Sequence, residues 1–130
     1  MILTLRTDKP EAEVSLRSKD SKVLSKKVWH AHRELSGTIH KKILEQLQKN
    51  NASWGDIAAV IFYAGPGSFT GLRIGATVAN TLASSLSIAI VSSGGQFWVK
   101  EGLEKLSDGT DEKIVKPTYG GEANITKQKK

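Results

Sequence analysis

Apolar and polar positions change their period twice along the chain, and each change marks a different kind of element. Residues 2–5, ILTL, are apolar throughout and read as a strand. In AEVSLRS, residues 12–18, Val14 and Leu16 alternate with polar neighbours, which suits a half-buried strand. KDS at 19–21 is a turn, and KVLSKKVWH at 22–30 reads as a third strand closing a hairpin. From Glu34 to Lys49 the period lengthens. Leu35, Ile39, Ile43, Leu44 and Leu47 recur at three- and four-residue steps opposite Lys41, Lys42 and Gln48, an amphipathic helix that Gly37 weakens in its first turns. Asn50-Asn51 ends it, and SWGDI at 53–57 is a loop. IAAVIFYA at 57–64 is a continuous apolar run of strand length, as expected for a strand covered on both faces.

A turn rich in glycine follows, AGPGSFTGLRIGA at 64–76, and opens a helix from Thr70 to Leu86. IAIV at 88–91 is another buried strand, and residues 94–106 form a third helix anchored by Phe97, Val99 and Leu103. After Ser107 the chain is polar and irregular and ends in ITKQKK, which predicts a flexible or loosely attached tail over 108–130. The order βββαβαβα makes an α/β domain with a mixed sheet and helices on its faces. The assigned boundaries are 1–107 for the domain and 108–130 for the tail.

Composition narrows the picture. A hydrophobic fraction of 38% and three tryptophans support one globular core. There is no cysteine, hence no disulfide framework or thiolate metal site. No apolar run approaches the roughly 20 residues of a membrane helix, and MILTLRTDKP lacks the pattern of a signal peptide, so the expectation is a cytoplasmic protein without a membrane partner. Most of the net charge of +6 sits in the first fifty residues, with 11 Lys/Arg against 6 Asp/Glu, whereas residues 51–99 hold only Asp56 and Arg73 as charged residues. A basic hairpin (Arg17, Lys19, Lys22, Lys26, Lys27) can be a solvated face or a contact for an acidic partner such as RNA.

The glycine turn fails both familiar phosphate motifs on spacing. Five residues, not four, separate Gly65 from Gly71, and Leu72-Arg73 follow instead of Lys-Ser/Thr. Gly65, Gly67 and Gly71 are one residue too long for G-x-G-x-x-G. An anion at the N–H groups of Gly65, Gly67, Ser68, Thr70 and Gly71 is still compatible with a strand–turn–helix. So is the alternative, in which Ser68 or Thr70 caps the helix. Gly71, Gly75, Ala79 and Ala83 stand four apart and draw a stripe of tiny side chains, which fits tight packing on the domain's own sheet or a helix–helix contact with another subunit. Arg73 can pair with Asp56, with a partner's carboxylate or with a phosphate. His30, His32 and His40 have no carboxylate or thiolate at ligand spacing, so no metal site is assigned, and no general base can be named.

GPGSFTGLRIG, residues 65–75, closely resembles the signature of the TsaB (YeaZ) family. Its flanks agree: residues 53–75 are similar to that family's loop–strand–turn–helix, residues 2–16 to its opening strands, and residues 116–130 to its C-terminal tail. His32 falls where many members carry a histidine before the first helix. The resemblance implies an actin/Hsp70/sugar-kinase-like (ribonuclease H-like) lobe. It implies a non-catalytic subunit that pairs with the threonylcarbamoyl-transferase TsaD and works with an ATPase subunit. Together these install N6-threonylcarbamoyladenosine at position 37 of tRNA.

Dimerisation, as heterodimer or homodimer, would use the first two helices, here Leu35, Ile39, Ile43, Gly71, Leu72, Arg73, Gly75, Ala79, Leu82 and Ala83. Such a subunit touches tRNA only indirectly and binds no nucleotide of its own, although ATP or ADP at a shared interface is a further reading. Three departures stand out. Arg6-Thr7 replaces the family's Asp-Thr, Tyr63-Ala64 replaces its glycine and arginine, and only one of its two lobes is matched, since the chain passes from the third helix to the tail. The alternative reading is a small basic RNA-binding module that contacts tRNA through the hairpin.

Overall fold

The computed structural model describes residues 1–20, 22–31 and 34–118. Five strands form one sheet in the order β3-β2-β1-β4-β5, with β1 at Ile2–Arg6, β2 at Glu11–Arg17, β3 at Val23–His30, β4 at Ala59–Gly65 and β5 at Ala89–Gly94. β1, β2 and β3 run antiparallel, while β1, β4 and β5 are parallel to one another. Helices α1 (Leu35–Lys49), α2 (Phe69–Leu86) and α3 (Trp98–Ser107) connect or follow the later strands. The mixed α/β sheet expected from the sequence is therefore the one observed. The SWGDI loop tightens into a single 3₁₀ turn, where Asp56 accepts from the Ser53 N–H at 2.8 Å.

The continuous apolar run of β4 is explained by its position. Every one of its residues is buried because β1 and β5 flank it and helices cover both faces. Phe62 faces α2 and its neighbour Ile61 faces α3, as alternation along a strand requires. α1 lies on the Phe62 side, where the Trp29 indole N–H donates to Thr38 Oγ1 at 3.1 Å. Under α1 and α2 the sheet presents Leu3, Leu5, Val14, Leu16, Val60 and Phe62, all fully buried. On the other face Thr4 and Ser15 are fully buried neighbours that hydrogen-bond to each other, so this polar pair leaves no lost partner.

Residues 108–118 have no regular structure, as their polarity implies, but over this stretch the expectation of loose attachment is wrong. They form a strap along β5. The Glu112 N–H donates to the Ile90 carbonyl at 2.8 Å, and the Ile90 and Ser92 N–H groups donate to Asp111 and Glu112 carboxylates at 3.2 and 2.9 Å. The Asn80 side-chain amide binds both backbone groups of Val115, which is itself only 2% exposed. Backbone groups on the outer edge of β5 are thus satisfied by the Asp111 and Glu112 carboxylates and the Glu112 N–H, while Asn80 of α2 holds the strap itself. The remainder of the tail, 119–130, lies outside the described residues, as does His32.

Glycines in α1 and α2 look alike in sequence and differ in their surroundings. A Cβ at Gly71 would overlap the Thr7 backbone carbonyl oxygen, which cannot yield, whereas a Cβ at Gly37 meets nothing within 4 Å. We expect Gly37→Ala to raise stability by about 0.5–1 kcal/mol through helix propensity. Gly71→Ala should instead lower it by about 1–3 kcal/mol through overpacking. Urea unfolding of the two variants measures the opposite signs.

Candidate interaction site and the glycine turn

At the carboxyl end of β1 the chain turns through Thr7 and Asp8 directly onto the start of α2. The Thr7 hydroxyl donates to the Gly71 carbonyl at 2.7 Å, and the Ser68 N–H donates to the Asp8 carbonyl at 3.1 Å. A Cβ at Gly67 would overlap Asp8, one at Gly75 would overlap the Thr7 hydroxyl, and one at Gly65 would overlap the Thr118 carbonyl. Gly65 also sits at φ 128°, a conformation that favours glycine, and its peptide bond to Pro66 is cis. The glycines therefore admit other parts of the same chain: backbone at Gly65 and Gly71, side chains at Gly67 and Gly75.

These contacts weigh against Gly65, Gly67, Ser68, Thr70 and Gly71 as a phosphate cradle. The space beside Gly67 holds a carboxylate that is 8% exposed by residue, and that above Gly65 holds Thr118. An anion would meet Asp8, a like charge at short range. The capping alternative fails as well, because Ser68 is the residue preceding α2 but its hydroxyl makes no capping bond. The first turn of α2 is closed by the Leu72 N–H, which donates to the Ser68 carbonyl at 3.0 Å.

Arg6 keeps Asp8 in place. Its guanidinium binds both carboxylate oxygens, at 2.7 and 3.3 Å, and stacks 4.0 Å from the Tyr63 ring centroid. The Asp8 hydrogen bond, working against partial burial, holds Arg6 still further from deprotonation than usual. The Tyr63 hydroxyl donates to the Pro66 carbonyl at 2.9 Å, and its ring meets Trp98 edge-on at 5.6 Å. The Thr118 N–H donates to the Ala64 carbonyl. Both departures singled out in the sequence, Arg6 and Tyr63-Ala64, thus belong to one cluster that closes the carboxyl ends of β1 and β4. Open α/β sheets take their ligands at such ends.

The stripe on α2 also faces inward. Gly75, Ala79 and Ala83 are buried against β1 and β4, and Leu35, Ile39, Ile43, Leu72 and Leu82 are buried in the same core. Of the ten residues placed at a subunit interface, only Arg73 is exposed, with Gly71 partly so. The reason is geometric: Thr7 and Phe62 pack into the groove that the small residues leave. Gly75→Leu would consequently disturb the fold and not report on a partner. Arg73 does not pair with Asp56 among the described ion pairs, and its guanidinium lies 5.4 Å from the Phe69 ring centroid.

What faces outward is the opposite side of α2. Phe69, Thr70, Arg73, Ile74, Thr77 and Val78 line an apolar groove against Ser36 of α1, with a volume of ≈ 320 Å³. Phe69 is 54% exposed there. Sequence reasoning passed over this face because the Gly/Ala stripe drew attention away from it. The signal in the sequence is slight: Phe69 falls on the side of α2 away from Gly71 and Gly75, whereas Ile74 and the buried Val78 lie nearer the stripe and only border the groove.

A family model described as TsaD, tRNA N6-adenosine threonylcarbamoyltransferase, matches residues 23–92, more than half of the chain. The chain belongs to the TsaD family. The matched stretch runs from β3 into β5 and includes α1, the glycine turn and α2. A tRNA N6-adenosine threonylcarbamoyltransferase from Pyrobaculum calidifontis is 37% identical over 60 residues, covering 46% of this chain and 17% of the relative.

Among solved structures, YeaZ from Pseudomonas aeruginosa superposes with a TM-score of 0.65 at 24% identity over 72% of this chain. A second structure, described as an uncharacterized protein with similarity to peptidase YEAZ from Pseudomonas aeruginosa, gives 0.66 at 24% identity over 72%. These share the fold, and the resemblance drawn from residues 65–75 is borne out. The chain spans 43% and 42% of those two structures' lengths. No helix of the described residues is long and apolar enough to cross a membrane.

The strap that ends at this cluster carries a pH dependence. Burial pushes the Glu112 carboxyl up, but the Ser92 N–H and hydroxyl and the Lys105 ammonium outweigh it and hold the group below its usual range. A depressed carboxylate stabilises the folded state above its unfolded value and loses that contribution as pH falls. Docking of 108–118 should therefore weaken as pH drops through and below about 4.3, the ordinary glutamate value. Amide exchange at Ser92 should quicken there, and at Ile90 through Asp111, whose carboxyl the Ile90 and Lys113 N–H groups also hold below its usual range; Glu112→Gln should remove the pH dependence at Ser92, and adding Asp111→Asn should remove it at Ile90.

Proposed function

We infer that this chain acts in the tRNA threonylcarbamoyladenosine system as a non-catalytic, TsaB-like subunit that pairs with the transferase TsaD and supports modification of position 37. One observation carries the reading. The strand ends where a family member would hold a nucleotide are occupied by Arg6, Asp8, Tyr63 and Thr118, while the outer face of α1 and α2 offers an open apolar groove. An exposed apolar face flanked by one cation suits a protein partner. ATP or ADP, on this reading, would be bound only at an interface shared with the partner, and tRNA would be reached through the complex and its ATPase subunit. The partner surface moves from the buried stripe to Phe69, Arg73, Ile74, Thr77 and Val78.

Direct tRNA binding by the hairpin is the weaker alternative. Lys26 is paired with Glu13 at 3.6 Å, and Val23, Leu24 and Val28 stand among the lysines where base stacking needs rings.

Size-exclusion chromatography with light scattering, on the chain alone and mixed with a transferase subunit from the same source, tests the proposal. A 1:1 heterodimer is expected. Ile74→Asp combined with Arg73→Glu should weaken it by about 10–100-fold, the loss expected of a central interface pair, while Lys100→Ser on the opposite face leaves it intact. A monomer or a homodimer that ignores the transferase contradicts the reading.

A further inference from the structure

The two edges of the sheet are treated differently. On β5 the strap from 108 to 118 supplies carboxylates and a carbonyl partner to the outer backbone groups. On β3 the only strand neighbour among the described residues is β2. β3 is eight residues long, has no proline, and leaves Val23, Leu24 and Val28 at 46%, 38% and 50% exposure. Such an edge is a template for a further strand.

Charge decides what that strand can be. Lys22, Lys26 and Lys27 line the edge, and only Lys26 has a carboxylate partner, Glu13, among the described ion pairs. A second copy of β3 pairing antiparallel about its centre would set Lys26 against Lys27 in both directions, and like charges directly opposite are unfavourable. The lysines thus discourage self-pairing while favouring a strand of opposite charge. The fold already uses this chemistry at its other edge, where Asp111 and Glu112 meet the N–H groups of Ile90 and Ser92.

We propose that β3 is a docking edge for an extended acidic peptide segment of a partner protein, which adds as a sixth strand with apolar side chains over Val23, Leu24 and Val28 and carboxylates at Lys22 and Lys27. This surface is separate from the α1–α2 groove, so both can be occupied together.

The probe is a synthetic peptide of about ten residues alternating Glu with Val, long enough to span a strand. Its counterparts are a Lys/Val peptide and an alternately N-methylated Glu/Val peptide that keeps the charge but loses the ladder donors. Amide exchange of the full chain is followed by NMR. The acidic peptide should slow β3 amides by about tenfold or more at saturation, leaving β5 amides unchanged. The N-methylated peptide should give no slowing, and Lys27→Glu should shift the preference to the Lys/Val peptide.

Three results overturn the proposal. Equal slowing by the Lys/Val or N-methylated peptide means that the edge does not add a charged strand. Protection of β3 in a self-associated form without peptide means that it pairs with its own kind. Slowing by single-stranded RNA but not by the acidic peptide means that the lysines serve a nucleic acid.

Discussion

The close approach of the β1–β2 turn to the start of α2 sets the rest of the molecule. Thr7 and Asp8 reach Gly67, Gly71 and Gly75 so tightly that a methyl group at any of the three would collide with them. This contact fixes which face of α2 turns inward. It gives the glycines their role, although glycine inside a helix costs about 1 kcal/mol against alanine. It also fills the place where a strand–turn–helix would hold a phosphate. With α2 seated by Gly71 and Gly75 alongside the buried Leu72 and Leu82, Phe69 and Ile74 are left to line the groove shared with α1.

The same contact depends on an ion pair that departs from the family pattern. Arg6 stands where the resemblance to the TsaB family implies an aspartate, and its guanidinium holds Asp8 against the turn while covering Tyr63. Tyr63 in turn ties Pro66, and Thr118 closes over Gly65. A region that is open in a nucleotide-binding sheet is here a packed cluster. What the surface leaves open is the α1–α2 groove and the outer edge of β3.

Most of the fold was legible in the sequence. Alternation at Val14 and Leu16 gave a strand, the three- and four-residue steps from Leu35 to Leu47 gave α1, and the unbroken apolar run before the glycines gave a central strand. The site was less legible. A stripe of Gly71, Gly75, Ala79 and Ala83 fits a sheet or a partner helix equally well, since spacing records which residues share a face and not what that face meets. Asp111, Glu112 and Asn80 read as surface polarity because their partners are backbone groups of β5 and the strap, which sequence pattern does not display. Arg6 and Asp8 are two apart on a turn, a spacing that no periodicity rule pairs.

Side-chain footprinting by hydroxyl radicals, on the chain alone and in a mixture with the transferase subunit, is the most direct test of the account. The account predicts that Phe69 and Ile74 lose reactivity in the mixture, while Leu72 is protected in both samples and Leu24 and Val28 are unchanged. A stable complex in which Phe69 and Ile74 label as they do in the free chain would contradict it.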